Sequence, residues 1–106
     1  MIKITIMKHA DSYRGFVISG HAGYAEEGYD IICSAVSALS VTTANSIESL
    51  AHVYVEAQQE DGYISCQFPK GINAEGTLLM DSMILGMRSI RDSYGKKYIQ
   101  LRFEEV

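Results

Sequence analysis

Two residues of this chain have the types and the setting for covalent chemistry. His21 lies in Gly20-His21-Ala22, and Cys33 lies in Asp30-Ile31-Ile32-Cys33-Ser34-Ala35-Val36-Ser37. The spacing predicts a helix that begins after Asp30, with Cys33 in its first turn. A helix N-terminus carries partial positive charge and free N–H donors, and both favour a thiolate over a thiol. A thiolate with an imidazole in reach is a nucleophile with its base. Gly20 and Gly23 flank the histidine and permit the backbone turns that would deliver it to the helix. Plainer readings stand beside these: Cys33 as a packing residue next to the apolar seam, and His21 as an exposed loop imidazole. Spacing alone leaves both pairs open. His9, at a strand end, and His52, on the polar phase of a strand, are weaker candidates.

Asp30 is a good N-cap, a role worth ~1 kcal/mol. The same carboxylate could orient His21 as a third group, and by like charge it would oppose thiolate formation. Of these the cap role is favoured, with contact to His21 compatible with it. Ser37 follows Cys33 by one turn and shares its face, either as a small polar neighbour of the site or as packing. The loop from Ala22 to Tyr29 holds two Gly, Glu26, Glu27 and two Tyr. It reads as a surface loop or as a lid that orders over a substrate, its acids suiting a basic segment. His21, Asp30 and Cys33 are metal-ligand types, but no Cys-x-x-Cys or His pair supports them, so no metal is expected. Cys66 alternates in phase with Ile64 and Phe68 and is expected in the core as a small hydrophobe. That leaves Cys33 without a resolving partner, which ranks a redox role last.

These groups need a scaffold, and periodicity supplies one. Ile2, Ile4 and Ile6 alternate with polar residues, and Tyr13 to Ser19 reads as a second strand joined to the first by a hairpin. Ile32, Val36, Leu39, Thr43, Ile47 and Leu50 form a helical stripe, and the residues between them are mostly Ser, Thr and Ala. Such a small-residue face could pack tightly against a sheet or a second subunit. His52 to Gln58 reads as a strand with Val53, Val55 and Ala57 on one side. Asp61-Gly62 is a hairpin signal, and Tyr63 to Phe68 is the returning strand. Asn73 or Thr77 caps a second helix with stripe Leu79, Met83, Met87, Ile90 and Tyr94, and Gly95 ends it. Tyr98 to Glu104 is the last strand, with Ile99, Leu101 and Phe103 inward. The fold class is therefore α+β: two layers, an antiparallel or mixed sheet with two helices on one face, in the order β-β-α-β-β-α-β.

The chain has 106 residues, 47% of them hydrophobic and 21% charged, which fits one domain over 1–106 with one modest core. No uninterrupted apolar run approaches the ~18 residues of a membrane span. The alternating start is unlike a signal peptide, so the cytoplasm is the expected compartment. The net charge is −4. Lys and Arg are scattered, with Lys96-Lys97 the sole adjacent pair, which argues against direct nucleic-acid binding. A basic peptide or protein remains a compatible partner.

Taken together, Gly20, His21, Ala22, Gly28, Asp30, Ile31, Cys33, Ala35, Val36 and Ser37 resemble the signature of the ribosomal-processing cysteine proteases called Prp, found in Firmicutes and related bacteria. The resemblance spans nearly the whole chain. The departures are mild: Ile32 stands where Val is common, and Ser34 where Ala is common. The resemblance implies a cysteine endopeptidase that removes a short N-terminal extension from a large-subunit ribosomal protein, cutting after an aromatic residue that ends a hydrophobic segment. It implies Cys33 as nucleophile, His21 as general base, and Gly20, Asp30 and Ser37 as supporting or substrate-binding residues. It also implies a homodimer of two-layer subunits, a flexible loop between His and Cys, and no cofactor. Backbone N–H groups at the helix start are the expected oxyanion donors. The competing reading is a non-enzymatic, ribosome-associated binding module in which Cys33 only packs.

Overall fold

A computed structural model of the chain describes residues 1–22 and 30–106. The proposed lid residues 23–29, Glu26 and Glu27 among them, lie outside the described residues. The elements are β1 (Ile2–His9), β2 (Ser12–Ser19), α1 (Ile31–Ser49), β3 (Glu56–Glu60), β4 (Tyr63–Gln67), α2 (Ala74–Tyr94) and β5 (Ile99–Glu105). One five-stranded sheet runs β3-β4-β2-β1-β5. It is mixed: β1 pairs antiparallel with β2 but parallel with β5. The β-β-α-β-β-α-β order read from the sequence is the order found.

The alternation of β1 sets the core. Ile2, Ile4 and Ile6 are buried, as are their neighbours Phe16, Ile18, Ile64, Cys66 and Ile99 on the adjoining strands. In register, Phe16 lies between Ile6 and Cys66, and Ile18 between Ile4 and Ile64. Ile32, Val36 and Ile47 of α1 and Met80, Met83, Ile84 and Met87 of α2 belong to the same core cluster. Each fully buried side chain of this size contributes roughly 1.5–3 kcal/mol of hydrophobic stabilisation.

Four sequence expectations shift. The third strand is Glu56–Glu60, not His52–Gln58, and all five of its residues are exposed. Helix α1 consumes the chain to Ser49, and the 50–53 backbone then folds back on it: Ala51 N–H donates to Ser46 O (3.3 Å) and Val53 N–H to Ile47 O (3.2 Å). His52 turns through φ +56. Val53 is therefore buried as a plug beneath the helix end, and strand pairing starts later. Leu50, expected in the α1 stripe, is the C-cap and is exposed, while Ser40 and Ala44 are buried. Ser40 enters the core because its hydroxyl donates to Val36 O within the helix (2.8 Å). In α2, Tyr94 is exposed, and Met80 and Ile84 join the buried face. Phe103, expected inward, is 46% exposed on the edge strand beneath the Arg88 guanidinium, 5.7 Å away.

Helix α1, 19 residues long, also contains an 18-residue stretch of mean hydropathy 1.2, which by length and composition alone matches a membrane span. Continuous apolar runs do not reveal this, because interspersed Ser and Thr break them without adding charge.

Candidate active site

The backbone delivers His21 from the end of β2. Gly20 takes φ +94, and a Cβ there would stand 2.4 Å from Met1 O. That close approach, together with the positive φ, accounts for a glycine at this position. Gly20 N–H donates to Gly62 O at 2.9 Å, and the Met1 amino group donates to His21 O. His21 is exposed and Ala22 buried.

Asp30 is the N-cap of α1, as its type and position predict. Its Oδ1 accepts from the N–H groups of Ile32 and Cys33, each at 3.0 Å. Ser34 N–H and Ser34 Oγ both donate to Asp30 O at 3.1 Å. Cys33 is half-buried, and Ala22 N–H donates to its Sγ at 3.3 Å. The residue after the histidine thus touches the cysteine sulfur, across a sequence gap that includes the loop.

A cavity of about 830 Å³ is lined by both His21 and Cys33. Its apolar lining is Ile2, Ile18, Val36 and Ile64; Ser34 and Ser37 come from α1. The remaining wall is the β3–β4 hairpin, from Gln59 to Tyr63. Gly20, His21, Asp30, Cys33 and Ser37 are therefore brought to one place. The other two histidines are held elsewhere: His9 Nδ1 lies 2.8 Å from Val106 O, and His52 forms the bend after α1.

The electrostatics are less simple than a helix terminus alone implies. Burial pushes the Cys33 thiol above its ordinary pKa. The Ala22 N–H opposes this, a hydrogen bond to Asp30 and the Asp30 charge add to it, and the Met1 ammonium favours the thiolate weakly. Of the N–H donors in the first turn of α1, those of Ile32 and Cys33 are taken by the Asp30 carboxylate. Ala22 N–H is a further backbone donor, directed at the sulfur. Cys66 is fully buried, as its phase predicted, and its thiol is pushed up to about 12 by burial, with the Glu48 charge adding. Among the described residues, no group of three His, Cys, Asp or Glu is placed to hold a metal ion.

The hairpin wall is what the sequence reading missed. Asp61-Gly62 was legible as a turn, but its place beside His21 depends on β4 pairing with β2, a long-range contact without a local signature.

The sequence profile of the family described as cysteine protease Prp matches residues 1–100. The ribosomal processing cysteine protease Prp of Bacillus subtilis is 30% identical over 101 residues, covering 89% of this chain and 90% of that protein. Its Staphylococcus aureus counterpart is 26% identical over 90 residues, covering 83% and 84%. Among solved structures, an S. aureus ribosomal processing protease Prp with a covalently linked product peptide superposes at a TM-score of 0.90, with 24% identity, over 98% of this chain and 100% of that one. A Streptococcus mutans protein superposes at 0.84, also with 24% identity, over 100% and 99%. With nearly its whole length matched in sequence and its fold shared from end to end, the chain belongs to the cysteine protease Prp family, a family of ribosomal processing.

Proposed function

We propose that Cys33 is the nucleophile and His21 the general base of a cysteine endopeptidase that removes a short N-terminal extension from a large-subunit ribosomal protein. The observation that supports this best is the cavity the two residues share. Cys33 and His21 line one cavity, and the N–H beside His21 already donates to Sγ. Because Cys33 rests as a thiol, His21 takes its proton as Sγ bonds to the scissile carbonyl carbon. The C–N bond then breaks, and the imidazolium protonates the departing amine. Water, deprotonated by His21, attacks the thioester and releases the carboxylate and the thiol. The developing oxyanion lies near Sγ, where Ala22 N–H is the adjacent donor. Asp30 holds the helix start that carries Cys33, and Ser37 and Gly20 shape the cavity.

The cavity also fits the substrate. Its apolar residues suit the hydrophobic side chain ahead of the cut. Among the described residues, Asp30, Glu60 and Asp61 line it and no Lys or Arg does. This charge favours a basic polypeptide, and proteins that neutralise nucleic-acid phosphates are basic. Bound peptides in the S. aureus relatives, one a substrate and one a covalently linked product, are consistent with an extended segment entering here. One domain acting in the cytoplasm as a homodimer, without a cofactor, completes the reading.

The test is mass spectrometry of an N-terminally extended large-subunit ribosomal protein incubated with this chain. A single defined cut that disappears in Cys33→Ala, with the fold retained, is the expected outcome. Cys33→Ser should lose most activity, because a hydroxyl ionises far less readily than a thiol. Absence of any cut, with the substrate still co-purifying, would replace the protease reading by the binding module.

A further inference from the structure

We propose that the turn of the β3–β4 hairpin positions the base, with Gly62 setting where the His21 imidazole sits. This rests on His21 acting as the general base. A Cβ on Gly62 would stand 2.8 Å from His21 Nε2, 3.3 Å from Cε1 and 3.5 Å from Cδ2. The imidazole thus occupies the space that any other residue at 62 would fill. Gly62 also takes φ +70, so the turn favours glycine there and the ring fills the room a Cβ would need.

The contact is anchored on both sides. Gly20 N–H donates to Gly62 O, which ties the residue before His21 to the same turn. From the opposite side, the Met1 amino group holds His21 O. The backbone of residues 20–21 is therefore gripped between the start of β1 and the hairpin. The His21 side chain itself is exposed. An exposed side chain without such a contact samples several rotamers. The hairpin, a distant piece of sequence, restricts that freedom at the catalytic cavity. Adding a Cβ at 62 moves the ring more readily than the turn, because the ring is the mobile partner. A displacement of about 1 Å costs as much as roughly a hundredfold in rate.

Gly62→Ala and Gly62→Asn test this. Asn tolerates positive φ, so it separates the Cβ contact from backbone strain. Gly71→Ala is the control, since Gly71 has φ +87 but open space around it. The expected result is a fall in kcat of about ten- to hundredfold in both Gly62 variants, by the same misplacement estimate. KM should stay nearly constant, the His21 ring signals read by NMR should move, and Gly71→Ala should retain activity. Wild-type kcat within about twofold in both variants, with the His21 ring signals unmoved, overturns the proposal; the twofold margin corresponds to ~0.4 kcal/mol. Should either variant fail to fold, a through-space NMR contact between the Gly62 α-protons and the His21 ring in the wild-type chain decides: its presence supports the proposal and its absence overturns it. Normal cleavage by His21→Ala would instead overturn the base assignment, leaving the contact itself intact.

Discussion

At Cys33 two influences compete within a few ångströms. The start of a helix and the Ala22 N–H favour the thiolate; burial and the Asp30 carboxylate favour the thiol, and the thiol wins. Iodoacetamide labelling of the free protein should therefore show a pH midpoint above the ~8.5 of an unperturbed cysteine. Asp30→Asn keeps a capping oxygen but removes the charge, so the midpoint should move down and labelling at pH 7 should accelerate. An unmoved midpoint would show that Asp30 acts on the helix alone. The proposed nucleophile and base were legible as residue types at a given spacing. The opposition from Asp30 was legible too, as like charge. That the cap would occupy both nearby N–H donors was not, because it depends on where a single carboxylate oxygen sits.

Element boundaries were legible where one residue stops or starts a helix, and less so where the chain merely bends. Asn73 Oδ1 accepts from Gly76 N–H at 2.8 Å, and its Nδ2 donates to Ala51 O at 2.7 Å. It caps α2 and ties it to the end of α1. Asn73→Ala should therefore cost about 1–2 kcal/mol, the upper range for a cap, because a second hydrogen bond goes with it. Chemical denaturation would read this as a lower midpoint at constant slope. Thr77, the alternative cap, instead donates its hydroxyl to Asn73 O and should be nearly silent on replacement by Ala. The displaced β3 shows the opposite case. Val53, Val55 and Ala57 alternate like a strand, yet Val53 is buried by the fold-back after α1.

Across the whole molecule, one core supports both the fold and the cavity. Cys66 keeps its proton in the folded state up to about 12, whereas an unfolded cysteine loses it near ~8.5. Between those values the folded state binds more protons, so stability falls as pH rises. Denaturation midpoints should decline across this window and decline less steeply in Cys66→Ala, although that variant starts from lower stability. Tyr13, donating to Asp81 and pushed up to about 12 by burial and by that carboxylate, adds a slope of the same sign above pH 10. For the proposed homodimer, Leu78 and Leu85 stand exposed seven residues apart on one face of α2. Replacing both with Asp should yield a monomer in sedimentation velocity. A variant that remains dimeric would place the interface elsewhere, and a monomeric wild type would remove the proposal.

The sequence by itself determined the order of elements, the core faces of the central strands, the cap at Asp30, and the pairing of His21 with Cys33 as candidates. Those features are written in periods of two and 3.6 and in single residues that start or stop a helix. Only the tertiary structure decided that β5 lies parallel to β1, that Ser40 is buried and Phe103 exposed, and that the Asp61-Gly62 turn meets His21. Each depends on which strands become neighbours. Strand pairing is settled by global packing, and it joins residues far apart in sequence without leaving a local pattern in either segment.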